Sequence, residues 1–386
     1  MRPPCVGIRV TSCCQTRLVQ RRSRITGSVT VSTVVAIVVA LALAACSGDS
    51  SGSDAGASPS TAAATSAVDD PVPATDPAIT AAVSTTAGTS SSTSSSSTST
   101  TMPVPRRPAR PSDGCGTAPA VTGPAKDAPG DVALTFAFDG AERTYRLGIP
   151  TGYDPDTPAP LALNLHGAGS NAFQASTYSD LPARAAEFGV ITVTPDAIEG
   201  RWDLGPADPD DAFLVALVTD VAAHYCVDLT RVHAVGMSLG AWRASATACQ
   251  HPDLFASAVL VTVEVWPQGC PPMSMIAFHG TADPVVPYGE GADPGVVVGG
   301  PNAGLSGARD NFVSWATGGG CDGGHDDEQI GDDVDHWVAT GCPDGIAVEL
   351  YTIHGGEHTW PGADITIGAT TQTIDATDLA LEVITV

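Results

Sequence analysis

Gly236-Met237-Ser238-Leu239-Gly240 is the stretch of this sequence that decides the fold. The apolar run Val232-His233-Ala234-Val235 precedes it, and a helix-like stretch from Ala241 to Cys249 follows. Strand, sharp turn and helix in that order are the setting in which G-x-S-x-G forms a nucleophile elbow. Its two glycines allow the tight turn that lifts the serine Oγ clear of the sheet edge. A free serine hydroxyl is a weak nucleophile, so Ser238 needs a base and an acid from elsewhere in the chain.

Outward from the elbow, short apolar runs alternate with helical spacing. Segments 132–138, 144–149, 161–166, 190–194, 258–262, 275–278 and 347–351 read as strands. Segments 181–188, 309–316 and 375–383 read as helices, as does 211–225, where Phe213, Leu214, Leu217, Val218, Val221 and Ala222 recur on one face. Continuous apolar strands between amphipathic helices imply an α/β fold with a mainly parallel sheet and helices on both faces. In such sheets ligands gather beyond the carboxyl ends of the strands. No long helical insertion separates the elbow helix from residue 283, so an open cleft suited to large substrates is expected rather than a bulky lid.

The general base is expected late in the chain. His358 lies in Gly355-Gly356-Glu357-His358-Thr359-Trp360-Pro361-Gly362, a glycine-framed loop after the last predicted strand, which can carry an imidazole to the nucleophile. His354 is the competing histidine, and His325 and His336, in an acidic and turn-rich region, are expected to be solvated. The acid that orients the imidazole is expected at Asp283, in His279-Gly280-Thr281-Ala282-Asp283-Pro284, directly after a strand. The Asp-Pro pair is also an ordinary turn former. Serine, aspartate and histidine in this chain order are the arrangement of α/β-hydrolases.

An oxyanion hole needs two backbone N–H groups aimed at one oxygen. Leu239, directly after the serine, and Ala168, in His166-Gly167-Ala168-Gly169-Ser170, are the expected donors. Gly167 is the alternative to Ala168. Trp202 and Trp360 are candidates for a substrate surface, apolar or sugar-stacking, with loop support as the competing role.

The first third of the chain reads differently. Arg21, Arg22 and Arg24 precede an apolar stretch, 29–45, that ends in Leu43-Ala44-Ala45-Cys46. A basic region, an apolar region and small closing residues describe an export signal, here with a lipobox-like end that points to lipidation of Cys46. Residues 47–112 are mostly Ser, Thr, Ala, Pro and Gly, a composition that cannot offset its own ordering entropy. It is expected to be a flexible stalk with a reach of about 45 Å, leaving residues 113–386 as the catalytic domain. The formal net charge is −25, and no basic patch is available for nucleic acid. Contact with a membrane is expected only through a lipid on Cys46.

Six cysteines follow the stalk, an even number that suggests disulfides in an exported domain. Many connectivities are open, and sequence alone does not choose among them. The expected set is Cys321 with Cys342, Cys249 with Cys270, and Cys115 with Cys226. No C-x-x-C pair is present, so no zinc is expected, nor any cofactor.

Together, Leu165-His166-Gly167, the elbow, the 279–288 segment His-Gly-Thr-Ala-Asp-Pro-Val-Val-Pro-Tyr and Gly356-Glu357-His358-Thr359-Trp360-Pro361-Gly362 resemble the polyhydroxybutyrate depolymerase and feruloyl esterase family of exported α/β-hydrolases. The resemblance runs from about Cys115 to Gly362. It implies a Ser-His-Asp triad at Ser238, His358 and Asp283, hydrolysis of carboxylic esters and no metal, and it also pairs Cys321 with Cys342. Family members often carry asparagine and two glycines after the serine, where this chain has Leu239-Gly240-Ala241. That departure bears on the acyl pocket rather than on the Leu239 N–H. Acyl transfer or peptide hydrolysis on the same triad, and a non-catalytic binding lipoprotein, are the rival readings.

Overall fold

The computed structural model describes residues 108–121, 130–205, 208–289 and 306–386. The expected export signal, Cys46 and nearly all of the expected stalk lie outside the described residues. So does most of the loop at 285–307.

Among the described residues, ten strands build one sheet. They are β1 (Val132–Phe138), β2 (Ala141–Gly148), β3 (Ala159–Leu165), β4 (Ile191–Pro195) and β5 (Val227–Met237), then β6 (Ser257–Val261), β7 (Ser274–Gly280), β8 (Gly324–Ile330), β9 (Val334–Thr340) and β10 (Val348–Ile353). The spatial order is β1-β2-β4-β3-β5-β6-β7-β10-β9-β8. The six strands from β4 to β10 run parallel, and antiparallel pairs flank them on both sides. This is the α/β-hydrolase architecture.

The central strands are buried on both faces, which is why they read as unbroken apolar runs rather than alternating ones. Side chains still alternate by period two. Ala258 and Leu260 of β6 enter one core while Val259 and Val261 enter the other, and Met275 and Ala277 of β7 are divided in the same way from Ile276 and Phe278. Helices cover each face. On one side lie α3 (Pro209–His224), α4 (Leu239–Gln250) and α5 (Ala308–Gly318), whose buried residues share the first core. On the other, Leu181 and Ala185 of α2 (Leu181–Ala185) pack with Ala376, Ala380, Leu381 and Ile384 of α6 (Ala376–Thr385). That spacing in α6 makes one apolar stripe, and the Asp375 side chain caps the helix by accepting from the Thr377 and Asp378 N–H groups. Each fully buried leucine in these layers stabilises the fold by roughly 1.5–3 kcal/mol.

Three elements depart from the sequence reading. The short helix α1 (Ala172–Ser179) precedes α2 in the β3–β4 crossover, over residues for which no element was predicted. The hairpin β8–β9 was also unforeseen, because β8 is Gly-His-Asp-Asp-Glu-Gln-Ile, with exposed charge in place of apolar alternation. Its histidines are not simply solvated. His325 stacks on Trp337 with ring centroids 4.0 Å apart, and His336 stacks on Tyr351 at 4.0 Å while bonding Glu349.

Cys115 is joined to Cys226, and Cys321 to Cys342. The expected Cys249–Cys270 bond is absent: both are buried free thiols. The first disulfide locks the start of the described domain onto β5. Around it Arg110 N–H donates to Asp228, Ser112 N–H to Val227 and Gly114 N–H to Ala222.

Candidate active site

The chain leaves β3 toward β4 on one side and leaves β5 toward β6 on the other. Ligand sites in open α/β sheets lie at such a switch point, outside the carboxyl ends of the strands. Ser238 follows β5 there, and the 166–170 turn follows β3.

Ser238 has φ 58° and ψ −125°, a left-handed conformation rare outside glycine. Such strain costs about 1–3 kcal/mol and persists only where surrounding contacts enforce it. Here they do. Ser238 N–H donates to the Val261 carbonyl at 2.9 Å, and its own carbonyl accepts from Ala241 and Trp242 as α4 begins. The motif glycines are required by space. A Cβ at Gly236 would overlap the Gly240 carbonyl, and one at Gly240 would overlap the Leu165 and His166 carbonyls. Gly167 packs so closely that a Cβ there would lie 3.3 Å from Ser238 Cβ.

The base loop is folded across the end of β7. Ala282 N–H donates to the Gly356 carbonyl at 2.9 Å and Gly355 N–H to Thr281 Oγ1 at 2.8 Å. This brings His358 Nδ1 to 2.7 Å from Asp283 Oδ2. Asp283 is 6 % exposed, and its other oxygen accepts the Val285 and Val286 N–H groups at 2.7 and 2.8 Å. An ionised carboxylate only accepts, so Nδ1 carries the proton and Nε2 keeps a lone pair. Among the described residues Ser238 Oγ has no hydrogen-bond partner, His358 included. Contacts of this kind commonly tighten only once substrate is bound. The competing His354 is exposed and pairs with Asp335 on β9.

The Leu239 and Ala168 N–H groups donate to no acceptor among the described residues. Leu239 opens α4, so its N–H is one of the orphan donors of a helix N-terminus, where the partial positive charge also lies. The facing turn is held by Ser170 N–H on the Gly167 carbonyl and Gly169 N–H on the Gly200 carbonyl. His166 braces it: Nδ1 donates to the Gly167 carbonyl at 2.8 Å while Nε2 accepts from the Ala197 N–H at 3.0 Å. One donor and one acceptor define a neutral ring, and burial holds its pKa below the ordinary histidine value. Two free N–H groups beside a strained serine can receive a developing oxyanion.

Neither tryptophan offers a substrate surface. Trp202 is 4 % exposed, and its Nε1–H donates to the His166 carbonyl at 2.8 Å. Trp360 is 2 % exposed, and its Nε1–H donates to Thr377 Oγ1 at 3.0 Å. Both indoles are too large and apolar to remain beside a loop when a core is within reach. They shore up the 166–170 turn and the base loop from behind.

Three further residues, to which the sequence reading gave no role, complete the surroundings. Arg243 on α4 is fully buried, held by Asp208 and Asp211, and ties the elbow helix to the start of α3. Glu264 and His279 form a buried pair at 2.8 Å, next to Asp283. His279 opens the His-Gly-Thr-Ala-Asp-Pro segment and was visible; Glu264, reached only through the fold, was not. Among the described residues no group of three or more His, Cys, Asp or Glu side chains is disposed to hold a metal ion.

No protein-family profile matches the chain. It is 31 % identical over 231 residues to Feruloyl esterase B of Piromyces equi, covering 56 % of this chain and 42 % of that protein. It is 29 % identical over 189 residues to Feruloyl esterase C of Emericella nidulans, covering 47 % of this chain and 65 % of that protein. The chain thus spans less than two thirds of the length of these relatives. Among solved structures, acetyl xylan esterase from Aspergillus awamori aligns with a TM-score of 0.44 at 14 % identity, over 59 % of this chain and 94 % of that one. Sheet topology and elbow give the chain the α/β-hydrolase fold, and its sequence is similar to those of feruloyl esterases.

Proposed function

We propose that this chain is a serine hydrolase of carboxylic esters. Ser238 Oγ attacks the ester carbonyl while His358 Nε2 takes its proton, and Asp283 orients the imidazole and offsets its charge. The Leu239 and Ala168 N–H groups hold the oxyanion. The alcohol leaves with the proton from His358, and a water activated by the same ring releases the acid from the acyl-enzyme. The observation that carries this reading is the 2.7 Å bond between His358 Nδ1 and Asp283 Oδ2, at the same sheet rim as a serine held at φ 58°.

Two substrate classes suit an open cleft: feruloyl esters on plant polysaccharide and hydroxyalkanoate polyesters. Similarity to feruloyl esterases favours the first. Export fits the two disulfides, and anchoring through a lipid on Cys46 follows from the leader alone. A panel of methyl ferulate, short acyl esters and a hydroxybutyrate oligomer tests the assignment. Turnover should vanish in Ser238→Ala with folding intact. Unchanged turnover in that variant, or acyl transfer to an added alcohol in place of hydrolysis, would overturn it.

A further inference from the structure

His279 ends the apolar run of β7, four residues before Asp283. It is 1 % exposed, and both ring nitrogens have partners. Nε2 lies 2.8 Å from the Val286 carbonyl, which can only accept, so Nε2 carries a hydrogen. Nδ1 lies 2.8 Å from Oε2 of Glu264, which is itself 2 % exposed. The other Glu264 oxygen accepts from Asn311 Nδ2 at 3.1 Å, and the Glu264 carbonyl accepts from Trp315 Nε1 at 2.9 Å. One proton therefore sits between the imidazole and the carboxylate. Imidazole is the more basic of the two by about two units, so the proton rests on the ring. Burial opposes charge on His279, but Glu264, the Val286 carbonyl and Asp283 outweigh it and raise the pKa above the ordinary histidine value.

His166 supplies the contrast within the same sheet. Its ring faces one acceptor and one N–H donor and stays neutral; the ring of His279 faces two acceptors. The remaining surroundings of His279 are Asp283 Oδ2 at 3.6 Å and the edge of Tyr288, with ring centroids 5.5 Å apart. Arg309 of α5 donates to the Tyr288 hydroxyl, and His358 is reached through Asp283.

We propose that His279 is a buried imidazolium, fixed by Glu264, that acts as a positioning residue for Asp283. It works in two ways. It holds the Val286 carbonyl, while the Val286 N–H binds Asp283 Oδ1, so one residue, gripped at both of its flanking peptide groups, fixes the turn that presents the acid. It also sets a positive charge 3.6 Å from the oxygen that receives His358. A cation there partly offsets the carboxylate charge that the His358 ring faces. This inference rests on Asp283 and His358 serving as acid and base in ester hydrolysis.

Glu264→Gln tests it with little change of shape. Glutamine can still accept from Asn311 and can donate to Nδ1, which leaves a neutral His279 whose Nε2–H still reaches Val286. The acid limb of kcat/KM is expected to move up by about 0.5–1 pH unit. In the unmodified protein, ring ¹⁵N NMR should find both His279 nitrogens protonated at pH 7. An acid limb that does not move in a folded variant, or a neutral-tautomer spectrum at pH 7, would overturn the proposal. Should Glu264→Gln fail to fold, the spectrum decides alone. That spectrum is read without substrate, so failure of the esterase reading in Ser238→Ala is recognised separately.

Discussion

Gly240 and Leu165 touch backbone to backbone: the Leu165 carbonyl fills the space that a side chain on Gly240 would need. Position 240 therefore sets how closely α4 approaches β3, and with it the gap between Leu239 and the 166–170 turn. Gly240→Ala must push two backbones apart, since the His166 carbonyl crowds the same point. Overpacking of this kind costs about 1–3 kcal/mol. Urea unfolding should report that loss, and ester turnover should fall further than stability does, because the two oxyanion donors separate.

Asp283→Asn tests the acid independently of the serine. The amide can still accept from Val285 and Val286, but it offers His358 Nδ1 a donor as readily as an acceptor. The imidazole then loses its enforced tautomer, and kcat is expected to fall by about 10³–10⁴-fold with the fold retained. Circular dichroism and steady-state kinetics on one preparation check both halves.

Trp360→Phe should leave KM unchanged for every ester that is turned over. Its indole N–H bonds Thr377 and its ring lies in the core beneath α6, so the loss is one of stability, about 1–2 kcal/mol. A KM rise confined to aromatic esters would restore the substrate role that its burial argues against.

Cys115→Ser opens a bridge that spans 111 residues of sequence. A native disulfide of this kind contributes about 2–5 kcal/mol. The midpoint of denaturation should drop accordingly, and reductant should lower the unmodified protein toward the variant.

Acid should weaken the fold through two buried histidines, one behind the 166–170 turn and one within β5. Burial holds His166 below the ordinary value, and burial with Arg231 holds His233 down to about 3. The unfolded chain binds these protons as pH falls below about 6.5, whereas the folded chain refuses them. Their contribution is therefore complete above that pH and is lost as pH falls toward the folded values. His279 runs the other way: its contribution is complete below about 6.5 and fades as pH rises through its raised folded value. Thermal melts from pH 4 to 9 should show both flanks, and His233→Gln should flatten the acid one.

What could be read from sequence was what is encoded locally. Ser238, Asp283 and His358 each sit in a short segment whose glycines or proline announce a turn after an apolar strand. The structure joins Asp283 to His358, and it sets Ser238 at the end of β5, two strands from β7. Glu264 carries no such local mark, because its meaning comes from Asn311 and Trp315, 47 and 51 residues away. The tryptophans misled for a related reason: neighbours in sequence suggested a surface, while the side chains turn inward. The disulfide expected between Cys249 and Cys270 is not formed, because an even count of cysteines says nothing about which sulfurs are joined.

The acidic face of β8 has a consequence for crowded solutions. Asp326, Asp327 and Glu328 stand exposed along one outer margin of a ten-stranded sheet, in a protein of net charge −25. Two copies approaching along that margin would bring like charges face to face before their backbones could zip together. Neutralising these carboxylates at low pH, or screening them with salt, removes that guard, so clumping should begin there first.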